Sequence, residues 1–354
     1  MTDADVTPAE RVTPDGLPSI AAVVLNYNYG RYVRQAVESL LRQDTPFREI
    51  VVVDDGSTDD SRDVLSTLPD AVRVVHKTNG GQLSAAVAAL PLLSSEYVYF
   101  LDADDRALPQ LVTGVAELLP DRPVKIQFPL QAVSDDLVPT GSVFPTFPAG
   151  YDSARMQADN AVLGFYVCPP TSGNVYRRDV LLQLPLEELD QRDFIDGPPT
   201  LVQPYLGPVA SLPEPLAQYR VHDRNHSSWP RPTAEQLRGE VDWFARRWDE
   251  VSGVLGVERP FDAHRPPAYV LERVLMADAL ADRPVVRPAV SFVRRLAGSR
   301  LPLVHKVALS IWAVGLVPPV RSWRRSAVDR RRSSADRSQF LRMVVTALRR
   351  FRRS

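Results

Sequence analysis

"SIAAVVLNYNYG", residues 19–30, decides the fold. From Ile20 to Leu25 the chain is apolar without a break, and at Asn26 it turns polar, aromatic and glycine-bearing. A strand with one wet face alternates apolar and polar residues; a strand covered on both faces does not. The run therefore predicts a central strand of a parallel sheet. "YVRQAVESLLRQ" (32–43) follows with Val33, Ala36, Val37, Leu40 and Leu41 at helical spacing. The same strand-then-helix order recurs three times. "EIVVVDDGS" leads into "DDSRDVLSTL", "AVRVVHK" (71–77) into "GQLSAAVAALPLL", and "EYVYFLDADD" into "LPQLVTGVAELL". Four such units with short connections predict an open, mainly parallel sheet flanked by helices, an α/β fold.

Sheets of this kind bind ligands beyond the carboxyl ends of their strands. The strand ends here are "NYNYG", "VDDGSTDD", "HKTNGG" and "LDADD". Asp54, Asp55, Asp102, Asp104 and Asp105 crowd two of them. Clustered carboxylates repel, so cations or donors must meet them, and a divalent cation is the economical solution. Asp102 and Asp104, at alternate positions leaving a strand, can offer oxygens to one point. Asp104 is the first choice as ligand. Asp102 or Asp105 then reaches a ribose or a metal-bound water, and Asp105 is also the residue best suited to capping a helix near Leu108. Other sheet ligands fit less well. Only Gly30 follows the first strand, against the three glycines of a dinucleotide site, and no glycine-rich run ends in Lys and Ser or Thr.

The four blocks "AVVLNYNYGRYVRQAVESLLRQ", "EIVVVDDGSTDDS", "NGGQLSAA" and "YFLDADD", in this order and spacing, resemble the nucleotide-binding half of family 2 glycosyltransferases, which have the GT-A fold. The resemblance covers roughly residues 19–225. It implies sugar transfer from a nucleoside diphosphate sugar, with inversion at the anomeric carbon and a bound Mg²⁺ or Mn²⁺. Such a cation would lie between the diphosphate and the carboxylates. The resemblance also sets Asp54 against the base, with Asp55 as the second partner. Tyr27 can stack on that base, and Asn79 and Gly80 bring backbone close to the donor. Where many relatives carry an Arg-Asn pair, this chain has Ala86 and Val87, which removes one expected donor contact.

Family members supply a general base at the start of a helix beyond a segment like "PPTSGNVYRRDVL" (169–181). Counting back from Gly207 puts the base on Asp196, with Asp193 as the competitor. The usual preceding Glu is Ile195 here, and Pro198 and Pro199 follow, so Asp196 can also be read as a helix N-cap. "YRVHDRNHS" (219–227) offers His222 as a further metal ligand or diphosphate contact, and Arg220 or Arg224 as phosphate holders.

Composition narrows the setting. At 44% hydrophobic and 24% charged residues the chain is an ordinary globular one. Cys168 is the only cysteine, so no intramolecular disulfide forms and a reducing compartment fits. The acidic N-terminus lacks the look of a secretory signal. Residues 321–354 carry twelve arginines against two aspartates, a surplus of ten. With a formal net charge of −1, residues 1–320 must then carry −11. The expected organisation is a lead at 1–18, a catalytic domain at 19–230 (nucleotide half 19–130, acceptor half 131–230), a helical extension at 231–320 and a basic amphipathic tail at 321–354. The tail's stripe of Phe340, Leu341, Val344, Val345, Leu348 and Phe351 among arginines suits an anionic lipid surface. The expected setting is thus cytoplasmic, peripheral at the inner face of the cell membrane, with a saccharide or lipid-linked acceptor and no nucleic acid. Two function classes follow: an inverting, metal-dependent glycosyltransferase of cell-surface polysaccharide or glycolipid synthesis, or a catalytically inactive sugar-nucleotide-binding scaffold of the same fold.

Overall fold

β1 (Ile20–Asn26) is buried at every position, as its unbroken apolar run requires. α1 (Gly30–Leu41) lays Val33, Ala36, Val37 and Leu40 against the sheet, each fully buried. β2 (Glu49–Asp54), α2 (Ser61–Leu65), β3 (Arg73–His76), α3 (Gln82–Ala89) and β4 (Tyr97–Asp102) complete the alternation. This is a computed structural model, and it describes residues 19–189, 191, 194–223, 232–256, 261 and 264–332. The expected lead at 1–18 and the tail beyond Arg332 lie outside the described residues, as do Asp193, Arg224 and His226.

After β4 come β5 (Arg106–Ala107), α4 (Leu111–Ala116), β6 (Lys125–Gln127), β7 (Leu130–Ser134), β8 (Pro139–Phe144) and α5 (Ser153–Leu163). Then follow β9 (Asn174–Arg177), α6 (Arg178–Leu181), α7 (Pro198–Leu206), β10 (Val209–Ser211) and β11 (Ala217–Val221). The larger sheet has the order β10-β6-β9-β4-β1-β2-β3 and is parallel except for β9. The chain places β2 and β3 on one side of β1 and then crosses to put β4 on the other. That reversal opens a crevice beyond the carboxyl ends of β1 and β4. Register brings the polar ends level: Asn26 lies opposite Asp54, and Leu25 opposite Asp102.

The smaller sheet, β5-β11-β7-β8, decides what faces that crevice. β5 starts one residue after Asp105, and β11 runs antiparallel to it with Ala217 opposite Ala107 and Gln218 opposite Arg106. Continued in that register, β11 carries Arg220 and His222 back along the "DADD" loop.

The described residues form two compact units. One comprises chiefly residues 19–154 and 167–223; the other comprises 155–166 and most of the chain from 232 to 332. The second unit is helical, with α8 (Ala234–Leu255), α9 (Ala268–Leu280), α10 (Val286–Ala297), α11 (Leu303–Gly315) and α12 (Arg321–Arg332). Its core gathers Leu237, Leu275, Met276, Phe292, Trp312 and Val328. No described helix is long and apolar enough to cross a membrane.

Leu40→Ala, at a fully buried position in the last turn of α1, is expected to cost about 2–5 kcal/mol. Arg42→Ala, which removes an exposed pair with Glu38 at 3.0 Å, is expected to cost under about 0.5 kcal/mol. Denaturant unfolding checks both, as a lower midpoint for the first at unchanged slope.

Candidate active site

The loops after β1 and β2 are laced together by side chains from both. Asn26, buried, donates from Nδ2 to Asp54 Oδ1 at 3.1 Å and to Ser57 Oγ at 3.2 Å. Asn28 adopts a φ of 59°, and its carboxamide oxygen accepts from the Thr58 amide at 2.7 Å. Gly30 donates to Asp59 Oδ2 at 3.0 Å, and a Cβ on it would lie 2.1 Å from Asp60 Oδ1. Only glycine lets the two loops come this close.

Asp54 has no exposed surface. His76 Nδ1 lies 3.1 Å from its Oδ2, and Arg62 is 3.7 Å away. Burial pushes its carboxyl up, but the bonds from Ser57, His76 and Asn26 outweigh it and leave the group below its ordinary range. Asp55 accepts from Lys77 Nζ at 2.6 Å, from the Gly80 amide at 3.0 Å and from the Gly81 amide at 2.7 Å. It thereby holds the "NGG" turn in place. Gly56 takes a φ of 75°, and a Cβ there would fall 2.6 Å from the Asn79 nitrogen. Tyr27 and Asn79 are exposed beside these turns, Tyr27 by 46%.

The "DADD" loop is the acidic centre. Asp102 accepts from Gln82 Nε2 at 2.6 Å, and its amide donates to Ser172 Oγ at 3.1 Å. Burial pushes its carboxyl well up, and the nearby Asp105, Asp104 and Asp196 push it further. Asp104 Oδ2 lies 3.0 Å from His222 Nε2. The His222 side chain is 2% exposed, stacked on Tyr32 with centroids 5.2 Å apart and met edge-on by Tyr29. Asp105 is buried and pushed well up by burial and by Asp104. It accepts from Ser172 Oγ at 2.6 Å and from the Arg220 amide at 2.9 Å.

Asp105 therefore does not cap the following helix. β5 intervenes, the residue before α4 is Gln110, and Asp105 instead joins three separate segments. Arg220 is also placed otherwise than as a phosphate holder. Its buried guanidinium bonds the Asp104 carbonyl at 2.8 Å, Gln35 Oε1 at 2.8 Å and the Asp135 carbonyl, and lies over the Tyr32 ring.

Asp196 lies on the approach to α7. The helix cap is Gly197, with no side-chain cap bond, so Asp196 is not spent as an N-cap. Pro198 and Pro199 open the first turn of α7, where proline is accommodated. Burial raises the Asp196 carboxyl to about 6, opposed by the charge of Lys125 and by the Thr171 amide. Lys125 is itself fully buried and pushed down to about 8 by that burial, with Nζ on Gln127 Oε1 at 3.1 Å. Gln82 spans Asp102 and the Asp196 segment, since its Oε1 also accepts from the Ile195 amide at 3.3 Å.

The structure thus gathers Asp102, Asp104, Asp105 and His222 at one edge of the sheet, with Asp196 near enough to Asp102 to raise its pKa. It keeps Asp54 and Asp55 below as loop anchors. Gln82, Ser172 and Lys125 were not singled out from sequence. Gln82 opens the helix after "NGG" and Ser172 sits in "PPTSGN", so position in the quoted blocks was the available signal. Asp102 and Asp104 supply hard oxygen donors with His222 alongside, a set that suits a divalent cation. No three His, Cys, Asp or Glu side chains among the described residues are already assembled as a metal cluster.

Over residues 21–183 the sequence matches the Glycosyl transferase family 2 profile. An uncharacterized glycosyltransferase of Nostoc sp. is 36% identical over 227 residues, which is 61% of this chain and 69% of that protein. Chondroitin synthase of Pasteurella multocida is 33% identical over 99 residues, 27% of this chain but 10% of its own. Among solved structures, S. aureus TarS 1-349 in complex with UDP-GlcNAc superposes with a TM-score of 0.52 at 16% identity, covering 89% of this chain and 91% of that one. At that identity the likeness concerns the fold.

The raised carboxyls carry a sign for stability. Between the ordinary carboxylate range and their own raised values, Asp102, Asp105 and Asp196 hold protons in the folded state that the unfolded chain has already released. Their contribution is full below the ordinary carboxylate range and is lost as pH rises through their folded values. In metal-free buffer the melting temperature is expected to fall by a few degrees between pH 5 and pH 7.5, and Asp102→Asn to remove part of that fall. Thermal melts across that range check it, and a flat profile would contradict the reading.

Proposed function

The chain belongs to glycosyl transferase family 2, and from that premise we propose that it is an inverting enzyme. It would move a sugar from a nucleoside diphosphate sugar to a hydroxyl of a saccharide or lipid-linked acceptor. The observation that carries this reading is the Asp196 carboxyl, raised to about 6 and linked through Gln82 to the acidic loop at the sheet edge. A carboxylate of that pKa is ionised at neutral pH yet basic enough to accept a proton. That is what an acceptor hydroxyl needs from a general base as it attacks. Lys125 keeps the ionised form of Asp196 populated in a buried setting, and Gln82 orients the segment that carries it.

Donor binding is assigned to the neighbouring turns. Tyr27 offers an exposed ring for stacking on a base, and the Asn79–Gly80 turn offers a close backbone approach. Asp54 and Asp55 serve by fixing those turns, and a direct contact of Asp54 with the base would require it to release His76. Asp104, Asp102 and His222 would hold a divalent cation, Mg²⁺ or Mn²⁺, which would neutralise charge on the leaving nucleoside diphosphate. Asp104 then parts from the His222 contact it makes here or shares it. A nucleoside diphosphate sugar is also what TarS, similar in fold, was crystallised with. Chondroitin synthase, similar over part of this chain, supports a polymer or glycolipid product. An acceptor carried on lipid would place the enzyme against an anionic membrane surface. The scaffold alternative rested on the missing Glu before Asp196, where Ile195 stands, and on the proline pair after it; the pair opens the first turn of α7, which removes the second ground.

Asp196→Asn is expected to lower kcat by about 10²–10⁴-fold with donor affinity retained. For the wild type, kcat/KM is expected to fall as pH drops through about 6, because protonating Asp196 removes the base. Asp104→Ala is expected to abolish any dependence of donor binding on added Mg²⁺ or Mn²⁺. Nucleoside diphosphate release measured against pH, with donor binding by calorimetry, checks all three. Full turnover by Asp196→Asn would sink the assignment.

A further inference from the structure

α11 is apolar around most of its circumference, and only one side of it is covered. Ala308, Trp312 and Ala313 point into the core of the helical unit. On the opposite face, at intervals of four, four and three residues, stand Leu303, Val307, Ile311 and Val314. Leu303 is 68% exposed, Ile311 53% and Val314 60%. A surface helix of a globular protein ordinarily turns polar residues outward. Here the outward face has Ser310 as its polar member.

The stripe ends at a tryptophan. Trp323 of α12, 51% exposed, donates from Nε1 to the Gly315 carbonyl at 2.7 Å, which seats its ring against the C-terminal end of α11. Arg330 lies with its guanidinium 5.7 Å from that ring. Arg321 and Arg325 are exposed too, but two residues to either side of Trp323 they lie on another side of α12, with Arg321 paired to Asp282. Arg324 is buried and ties the turn between the helices by bonding the carbonyls of Leu316, Val317 and Pro318. The surface is therefore held in shape by the core of its own unit.

We infer that the Leu303–Val314 face of α11, with Trp323 and Arg330 of α12, is a docking surface for an anionic lipid bilayer. It deepens the membrane contact suggested above but does not depend on the catalytic role of Asp196. Charge selects the occupant. A twofold contact between copies would bring the arginine sets of both together, like charge against like. The chain beyond Arg332 is arginine-rich as well and would set positive charge on positive. An anionic surface accepts both elements: apolar side chains and an indole enter the headgroup boundary while arginines pair with phosphates. The charge asymmetry agrees, since −11 on residues 1–320 is repelled by such a surface and +10 on 321–354 is attracted.

The test is co-sedimentation of the full chain with phosphatidylglycerol/phosphatidylcholine vesicles and with phosphatidylcholine vesicles alone. The wild type is expected to bind the anionic vesicles, less so as salt rises, and to leave neutral ones in solution. Ile311→Glu with Val314→Glu is expected to weaken binding at least tenfold at unchanged melting temperature, and Ile311→Leu to leave it intact. Asp196→Asn is expected to bind vesicles as the wild type does, which keeps failure of the catalytic reading separate from failure of this one. Binding that survives the double substitution, equal binding to neutral vesicles, or a dimer in solution that the double substitution dissociates would each overturn the assignment.

Discussion

A single buried carboxylate, Asp105, holds the acidic site together. Its oxygens accept from Ser172 in the turn before β9 and from the Arg220 amide in β11, segments 67 and 115 residues away in sequence. Burying a carboxylate is costly unless donors meet it, so once β4 delivers Asp105 into the interior, those two segments must come to it. Everything else at the crevice follows from that gathering. β11 cannot reach Asp105 without carrying His222 to Asp104. Ser172 cannot reach it without also receiving the Asp102 amide, and its neighbour Thr171 then meets Asp196.

The same logic divides the carboxylates into two kinds. Asp54 and Asp55 are rich in donors, and Asp54 lies below its ordinary range despite burial. They are structural pins whose work is to fix glycine-bearing turns at the rim. Asp102 and Asp105 are poorer in donors, crowded by one another, and pushed up. Two similar-looking motifs, "VDDGS" and "LDADD", thus do opposite electrostatic work, and only the second leaves a charge deficit that a cation would relieve.

How much of this was legible in sequence depended on whether the physical cause was local. The parallel sheet was, because strands buried on both faces write themselves as unbroken apolar runs, and "IAAVVLN" is one. The acidic strand ends were, because the switch of strand order places them at one edge. The role of Asp105 was not, because its partners are set by tertiary contacts and nothing near Leu108 reveals that β5 intervenes before the helix. Gln82 and Lys125 were missed for the same reason: a glutamine at a helix start and a lysine in a short strand acquire meaning only from what lies across the chain. Arg220 read as a phosphate ligand because arginine near an acidic site suggests one. Its side chain is instead consumed by main-chain carbonyls and Gln35.

That consumption bears on how the site handles charge. With Arg220 turned away from the crevice and Lys77 bound to Asp55, neither cation is available to the diphosphate as the turns stand. The third, Lys125, is buried and faces Asp196. In their ionised forms the three carboxylates at the strand end would repel an anionic ligand across a few ångströms. Asp104 and His222 stand 3.0 Å apart at that edge, and a hard cation received there would offset charge on the carboxylates.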